Sequence, residues 1–143
     1  MNVLTSVPRT LPLTSWDHYI LVVEDDPEVR DSYRSALRAA GLAAVGINDR
    51  LGAMRLVESQ RPSVVVLDLG LTRLGGREVH RELKSNPLTR DIPIVVVAST
   101  DNLADLNLDE VACLLNKPID PQMLVVAVKH VVAHSVPRRC QAS

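Results

Sequence analysis

Short runs of valine, isoleucine and leucine alternate along this chain with segments in which apolar residues recur every three or four positions. Five of the runs read as strands: YILVVE (residues 19–24), LAAVGIN (42–48), SVVVLD (63–68), IVVVA (94–98) and VACLL (111–115). Most lack polar alternation, the pattern of strands covered on both faces, as in a parallel sheet.

The segments between them predict helices. Residues 27–40 start with Asp26 as N-cap and Pro27 at the first helical position, carry Val29, Tyr33, Leu37 and Ala40 on one face, and stop at Gly41. Residues 49–60 form the second helix, closed by Pro62, and residues 76–85 the third, with Val79 and Leu83 four apart. Asp120 and Pro121 repeat the cap-plus-proline start for a last helix through about His134, with Leu124, Val128, Val131 and Val132 facing inward. The stretch after the fourth strand, STDNLADLNLDE, has no clear periodicity, so the fourth helix is expected to be short or irregular. Five strands with alternating helices make a doubly wound α/β domain with a five-stranded parallel sheet and helices on both faces. Residues 19–134 are expected to form that domain, with 1–18 a flexible N-terminal extension and 135–143 a flexible C-terminal tail.

Composition narrows the class without naming it. The 143 residues are 46% apolar and 23% charged, the balance of one soluble globular domain, and a formal net charge of -1 gives no basic footprint for nucleic acid. No stretch reaches about 18 uninterrupted apolar residues, and the first residues lack a charged region followed by an apolar core. A cytoplasmic protein without membrane or direct nucleic-acid contact is expected. Cys113 and Cys140 make a poor disulfide framework and fit a reducing compartment.

In an open parallel sheet, ligands bind outside the carboxyl ends of the strands, where the strand order switches. Those ends carry Glu24, Asp25 and Asp26 on the first strand, Asp68 on the third, Ala98, Ser99 and Thr100 on the fourth, and Asn116, Lys117 and Pro118 on the fifth. Carboxylates from two strands facing one lysine repel each other unless a cation joins them. A hard divalent cation suits such a site, Mg²⁺ above all, and the lysine would balance a second anion such as a phosphoryl group.

The blocks ILVVEDDPEVR, VVVLDLGLTRLGG, IPIVVVAS and NKPID, in this order and at nearly the usual spacing, resemble the signatures of the response-regulator receiver domain of two-component signalling. The resemblance covers residues 19–134 and implies the flavodoxin-like receiver fold. It also implies Asp68 as phosphoacceptor, taking a phosphoryl group from a sensor histidine kinase or histidine phosphotransfer protein, with possible slow autodephosphorylation rather than an enzyme's turnover. Mg²⁺ would be held by Asp25 directly, by Glu24 mostly through water, by Asp68 and by the backbone carbonyl of Gly70. Lys117 would pair with the acyl phosphate, and Pro118 matches a proline that often follows a cis peptide bond. Phosphoryl transfer onto a carboxylate needs charge neutralisation and positioning more than acid/base help, which agrees with the residues present.

Some positions depart from the family pattern. Ala98 stands where a Thr or Ser usually binds the phosphoryl group, with Ser99 and Thr100 following, and Leu114 replaces the aromatic residue that usually turns inward. Thr72 and Gly75 replace a Pro and an Asp in the loop after the phosphoacceptor. Three readings follow. The first is a stand-alone receiver whose output is contact with a downstream protein. The second is a pseudo-receiver scaffold that works without phosphate. The third is a dehalogenase-like phosphohydrolase, against which stand the absent second aspartate two places after Asp68 and the position of Asp68 on the third strand. Dimerisation through the fourth and fifth elements is common in the family, and the short fourth segment argues against it here.

Several residues have plainer roles. The acidic triplet at 24–26 could simply cap the first helix, which Asp26 alone would satisfy. His130 and His134 have the spacing of a metal pair on a helix but no third ligand near in sequence, and read as a solvated face. The terminal CQAS has the length of a prenylation box, but Gln141 is not aliphatic.

Overall fold

The computed structural model describes residues 18–70, 75–99, 101, 103 and 106–142, with side chains described as far as residue 134. The apolar runs form β1 (Tyr19–Val23), β2 (Ala43–Ile47), β3 (Val64–Asp68), β4 (Ile94–Ala98) and β5 (Cys113–Asn116). They pair in the order β2-β1-β3-β4-β5, every neighbour parallel. Every residue of β1, β3 and β4 is buried, which is why these runs show no polar alternation.

Among the described residues, four α-helices cover the sheet: α1 (Pro27–Ala39), α2 (Arg50–Ser59), α3 (Gly76–Ser85) and α4 (Pro121–Ala142). Successive strand residues point to opposite faces, so the sheet has two apolar surfaces. Ile20, Val22, Val66 and Val97 pack with Tyr33 and Leu37 of α1 and with Leu124 and Val128 of α4. Leu21, Val23, Leu67 and Val96 pack with Met54 and Val57 of α2 and with Val79 and Leu83 of α3. This is the doubly wound arrangement expected from the sequence.

The helix starts follow their caps. The Asp26 carboxylate accepts from the Glu28 and Val29 backbone N–H groups at 3.0 and 3.4 Å, with Pro27 supplying no donor to satisfy. Asp49 accepts from Gly52 N–H at 2.7 Å, and Asp120 from Gln122 N–H at 2.9 Å. Past the end of α1, Gly41 takes a left-handed φ of 89°, which costs glycine little.

Two boundaries differ from the sequence reading. The fifth strand starts two residues later than its apolar run. Val111 N–H donates to the Leu108 carbonyl at 3.2 Å, closing a 3₁₀ turn over Leu108–Glu110, and contact with β4 begins at Ala112 N–H to the Ile94 carbonyl, 2.9 Å. The last helix runs on to Ala142, through a polar stretch whose sequence carries no apolar period. Among the described residues between β4 and β5 there is no α-helix, as the irregular segment suggested. Leu103, Leu106 and Val111 pack there against the core on the α2/α3 face. Thr72 and Thr100 lie outside the described residues.

Candidate functional site

The strand order reverses between β1 and β3, so the chain leaves these neighbouring strands toward opposite sides and opens a crevice at their carboxyl ends. Backbone hydrogen bonds extend the ladders just past the strands and hold the rim in place. Glu24 N–H donates to the Ile47 carbonyl at 3.0 Å, Leu69 N–H to the Val97 carbonyl at 3.0 Å, and Lys117 N–H to the Ala98 carbonyl at 2.9 Å. The crevice is lined by Glu24, Asp25, Asp26, Tyr33, Asp68, Gly70, Lys117 and Pro118, among others.

Asp68 is 4% exposed, and both its carboxylate oxygens are engaged. Oδ2 meets Lys117 Nζ at 2.7 Å, and Oδ1 accepts the Gly70 N–H at 2.7 Å. The lysine keeps about a third of its side chain in solvent, so its charge is balanced without being sealed in. Its peptide bond to Pro118 is cis.

Glu24 is more buried still, at 2% exposed. Oε2 accepts the Asp26 N–H at 3.1 Å, while Oε1 is buried with no hydrogen-bond partner. Burial pushes its carboxyl up to about 8, and the neighbouring Asp68 carboxyl adds to the rise against the opposing pull of the Asp26 N–H and Lys117. Tyr33, on the same crevice wall, is pushed up to about 12 by burial and then by the charges of Asp68 and Glu24. Its phenol is therefore protonated at neutral pH.

The acidic triplet divides its work. Asp26 is exposed and caps α1, which leaves the buried Glu24 and the half-buried Asp25 free of that task. Among the described residues, no three His, Cys, Asp or Glu side chains gather into a ready-made metal cage. The donor set still fits a small hard cation that binds through one or two carboxylates and keeps its waters. A buried carboxylate oxygen without a partner is an acceptor waiting for a proton, a water or a cation, and Glu24 Oε1 is one.

Two residues belong to the site in ways their sequence positions do not signal. Arg30 donates from Nη1 to the Glu24 backbone carbonyl at 3.1 Å, and its stem lies across Gly46, where an added Cβ would meet Arg30 Cγ at 2.7 Å. A glycine in the middle of β2 was the available signal that a side chain crosses there. Tyr33 is a core residue of α1, as its period predicts, and it also lines the crevice.

The profile of the family described as the response regulator receiver domain matches residues 20–129. The chain belongs to this family. Response regulator MprA of Mycobacterium sp. (strain KMS) is 40% identical over 86 residues, which is 60% of this chain and 36% of that relative. The chain thus spans about a third of the length of the curated relatives it matches. Among solved structures, a sensor protein from Polaromonas sp. JS666 is 26% identical with a TM-score of 0.73, over 82% of this chain and 97% of the other. The phosphorylated cyanobacterial phytochrome response regulator RcpA is 30% identical with a TM-score of 0.64, over 79% of this chain and 89% of the other.

Within this receiver domain the unusual positions have definite surroundings. Ala98 is fully buried at the end of β4 and offers no hydroxyl to the crevice. Ser99 follows it, half buried. Leu114 pairs with Val96 and packs, half buried, on the α2/α3 face of the sheet. Gly75 adopts a left-handed φ of 75° at the start of α3 and makes no side-chain cap.

Proposed function

We propose that this receiver domain accepts a phosphoryl group on Asp68 from a histidine kinase or phosphotransfer protein and signals through protein contacts. The observation that carries the reading is the buried Asp68 at the switch point of the sheet, 2.7 Å from Lys117 and beside the unpartnered Glu24 oxygen. A carboxylate oxygen of Asp68 attacks phosphorus as the bond to the donor nitrogen breaks, and the donor imidazole leaves with that electron pair. The product is an acyl phosphate whose oxygens carry the added charge. Lys117 is 36% exposed and can follow that charge outward from Oδ2. The Gly70 N–H holds Oδ1 and fixes the rotation of the carboxylate, so the attacking atom is positioned before the donor arrives.

Glu24, Asp25 and Asp68, with the Gly70 carbonyl, are the residues that would hold Mg²⁺, which neutralises charge on the phosphoryl oxygens when bound. Arg30 acts at one remove, by holding the Glu24 backbone. The test uses the chain with Mg²⁺ and a small phosphodonor such as acetyl phosphate. One phosphoryl mass is expected on the wild type, with none on Asp68→Asn and none when the cation is chelated. No adduct on the wild type would sink the phosphoacceptor reading.

A second reading is favoured by Ala98 and Leu114. With no hydroxyl and no aromatic ring at these places, the fold would serve as a scaffold indifferent to phosphate. Ala98→Thr separates the two. In a phosphate-accepting domain it shifts the lifetime of the acyl phosphate by about fivefold, the worth of one hydrogen bond of ~1 kcal/mol. An adduct whose lifetime ignores the new hydroxyl would leave Ala98 without the place assigned to it.

A further inference from the structure

His130 and His134 lie outside the phosphoacceptor crevice, on the solvent side of α4, one helical turn apart. Both are exposed, so neither is a core histidine satisfied by its neighbours. Their rings stack with centroids 4.0 Å apart and planes tilted by 34°. His134 Nδ1 lies 2.8 Å from the His130 backbone carbonyl. A carbonyl oxygen only accepts, so Nδ1 carries the proton and Nε2 carries the lone pair. This is the orientation in which a histidine serves as a metal ligand: one ring nitrogen donates to a backbone carbonyl and the other is left to coordinate.

We propose that His130 and His134 chelate a borderline divalent transition-metal ion, of the class to which Zn²⁺, Ni²⁺ and Cu²⁺ belong. Imidazole nitrogens suit these ions and suit Mg²⁺ poorly, so the pair and the acidic crevice select different metals. In the stacked arrangement the two rings face each other, so His130 must turn about its side-chain torsions before both in-plane lone pairs meet one ion about 2.0–2.1 Å away, a reach that histidines at i and i+4 of a helix have. Both side chains are exposed, so the remaining coordination positions face solvent and take water. The site exists only while α4 is helical at this point, since extended chain would carry the two rings apart. Binding therefore stabilises the stretch by which α4 continues toward Ala142.

The experiment is a calorimetric titration of the full chain with Zn²⁺ alone, at neutral to mildly alkaline pH, with histidine ring resonances followed by NMR. One ion per chain is expected, perturbing the rings of His130 and His134 and leaving the buried His80 unchanged. His130→Ala and His134→Ala should each weaken binding on the order of a hundredfold, because the second nitrogen must then come from solution rather than from the same helix turn. Both side chains are exposed, and an unchanged circular dichroism spectrum verifies that the variants fold. Lys129→Ala, at an exposed position of the same helix, should bind as the wild type does. Wild-type affinity in both histidine variants, or no binding by the wild type, would each overturn the assignment.

Discussion

Glu24→Gln stabilises the metal-free protein at alkaline pH, and the gain grows as the pH rises. The folded chain holds the Glu24 proton up to about pH 8, whereas the unfolded chain releases it near 4.5. Between those values the folded state binds more protons, so stability falls with rising pH. The contribution of the neutral carboxyl is fully present below about 4.5 and is lost as the pH climbs through about 8. Above that, the wild type carries a buried carboxylate beside Asp68, at a cost on the order of a few kcal/mol. Glutamine keeps the shape and an acceptor for the Asp26 N–H but has no charge to bury. Urea unfolding on either side of this pH window measures the difference. The wild type loses stability across it, and the variant stays nearly level. Added Mg²⁺ should restore alkaline stability to the wild type and much less to Glu24→Gln. A variant that tracks the wild type at every pH would show that Glu24 is not the strained group.

Gly76→Ala is the second large effect, and it acts on the backbone behind the site. A Cβ at this first residue of α3 would lie 2.6 Å from the Asp68 carbonyl oxygen and 3.0 Å from the Leu69 Cα. Alanine is the better helix former by about 1 kcal/mol, so propensity alone predicts stabilisation. The contact decides the other way. Both opposing atoms are backbone at the end of β3, where Leu69 N–H is bonded to Val97, so neither can rotate aside. A net loss of ~2–3 kcal/mol in chemical denaturation is expected, together with slower phosphoryl uptake as Asp68 shifts against Lys117. A neutral or stabilising substitution would contradict the close approach of α3 to the strand end.

The contrast between these residues shows what the chain discloses without coordinates. The buried strands were legible because their apolar runs are unbroken, and the helix starts because Asp26, Asp49 and Asp120 are efficient caps. The site was legible as a set of strand ends, since a parallel sheet places the carboxyl ends of β1, β3 and β5 on one edge. Arg30, Tyr33 and Gly76 were not legible as parts of it. Their importance lies in where a side chain or a missing Cβ falls in space, and no period or cap signals that. The β5 boundary failed for a related reason, because Val111 is apolar enough for a strand while its N–H is committed to a 3₁₀ turn. The division of the acidic triplet into one cap and two crevice residues also needed the hydrogen bonds themselves. His130 and His134 stood four apart in the sequence, but only the 2.8 Å contact to a carbonyl turns that spacing into a ligand geometry.

Ala98 and Leu114 bear on how a phosphorylated state would be read. Leu114, like Val111 and Leu106, packs against the core on the α2/α3 face, so a change at β5 would act on the core that also seats the irregular segment before β5.

The central claim is that Asp68 forms an acyl phosphate. Borohydride reduction tests it most directly, since hydride converts an acyl phosphate, but not a free carboxylate, to the alcohol. After incubation with Mg²⁺ and acetyl phosphate, reduction and proteolysis, the peptide containing residue 68 should carry homoserine in place of aspartate, and the peptides with Glu24 and Asp25 should be unchanged. Homoserine at another aspartate, or none on a chain that binds Mg²⁺, would contradict the account.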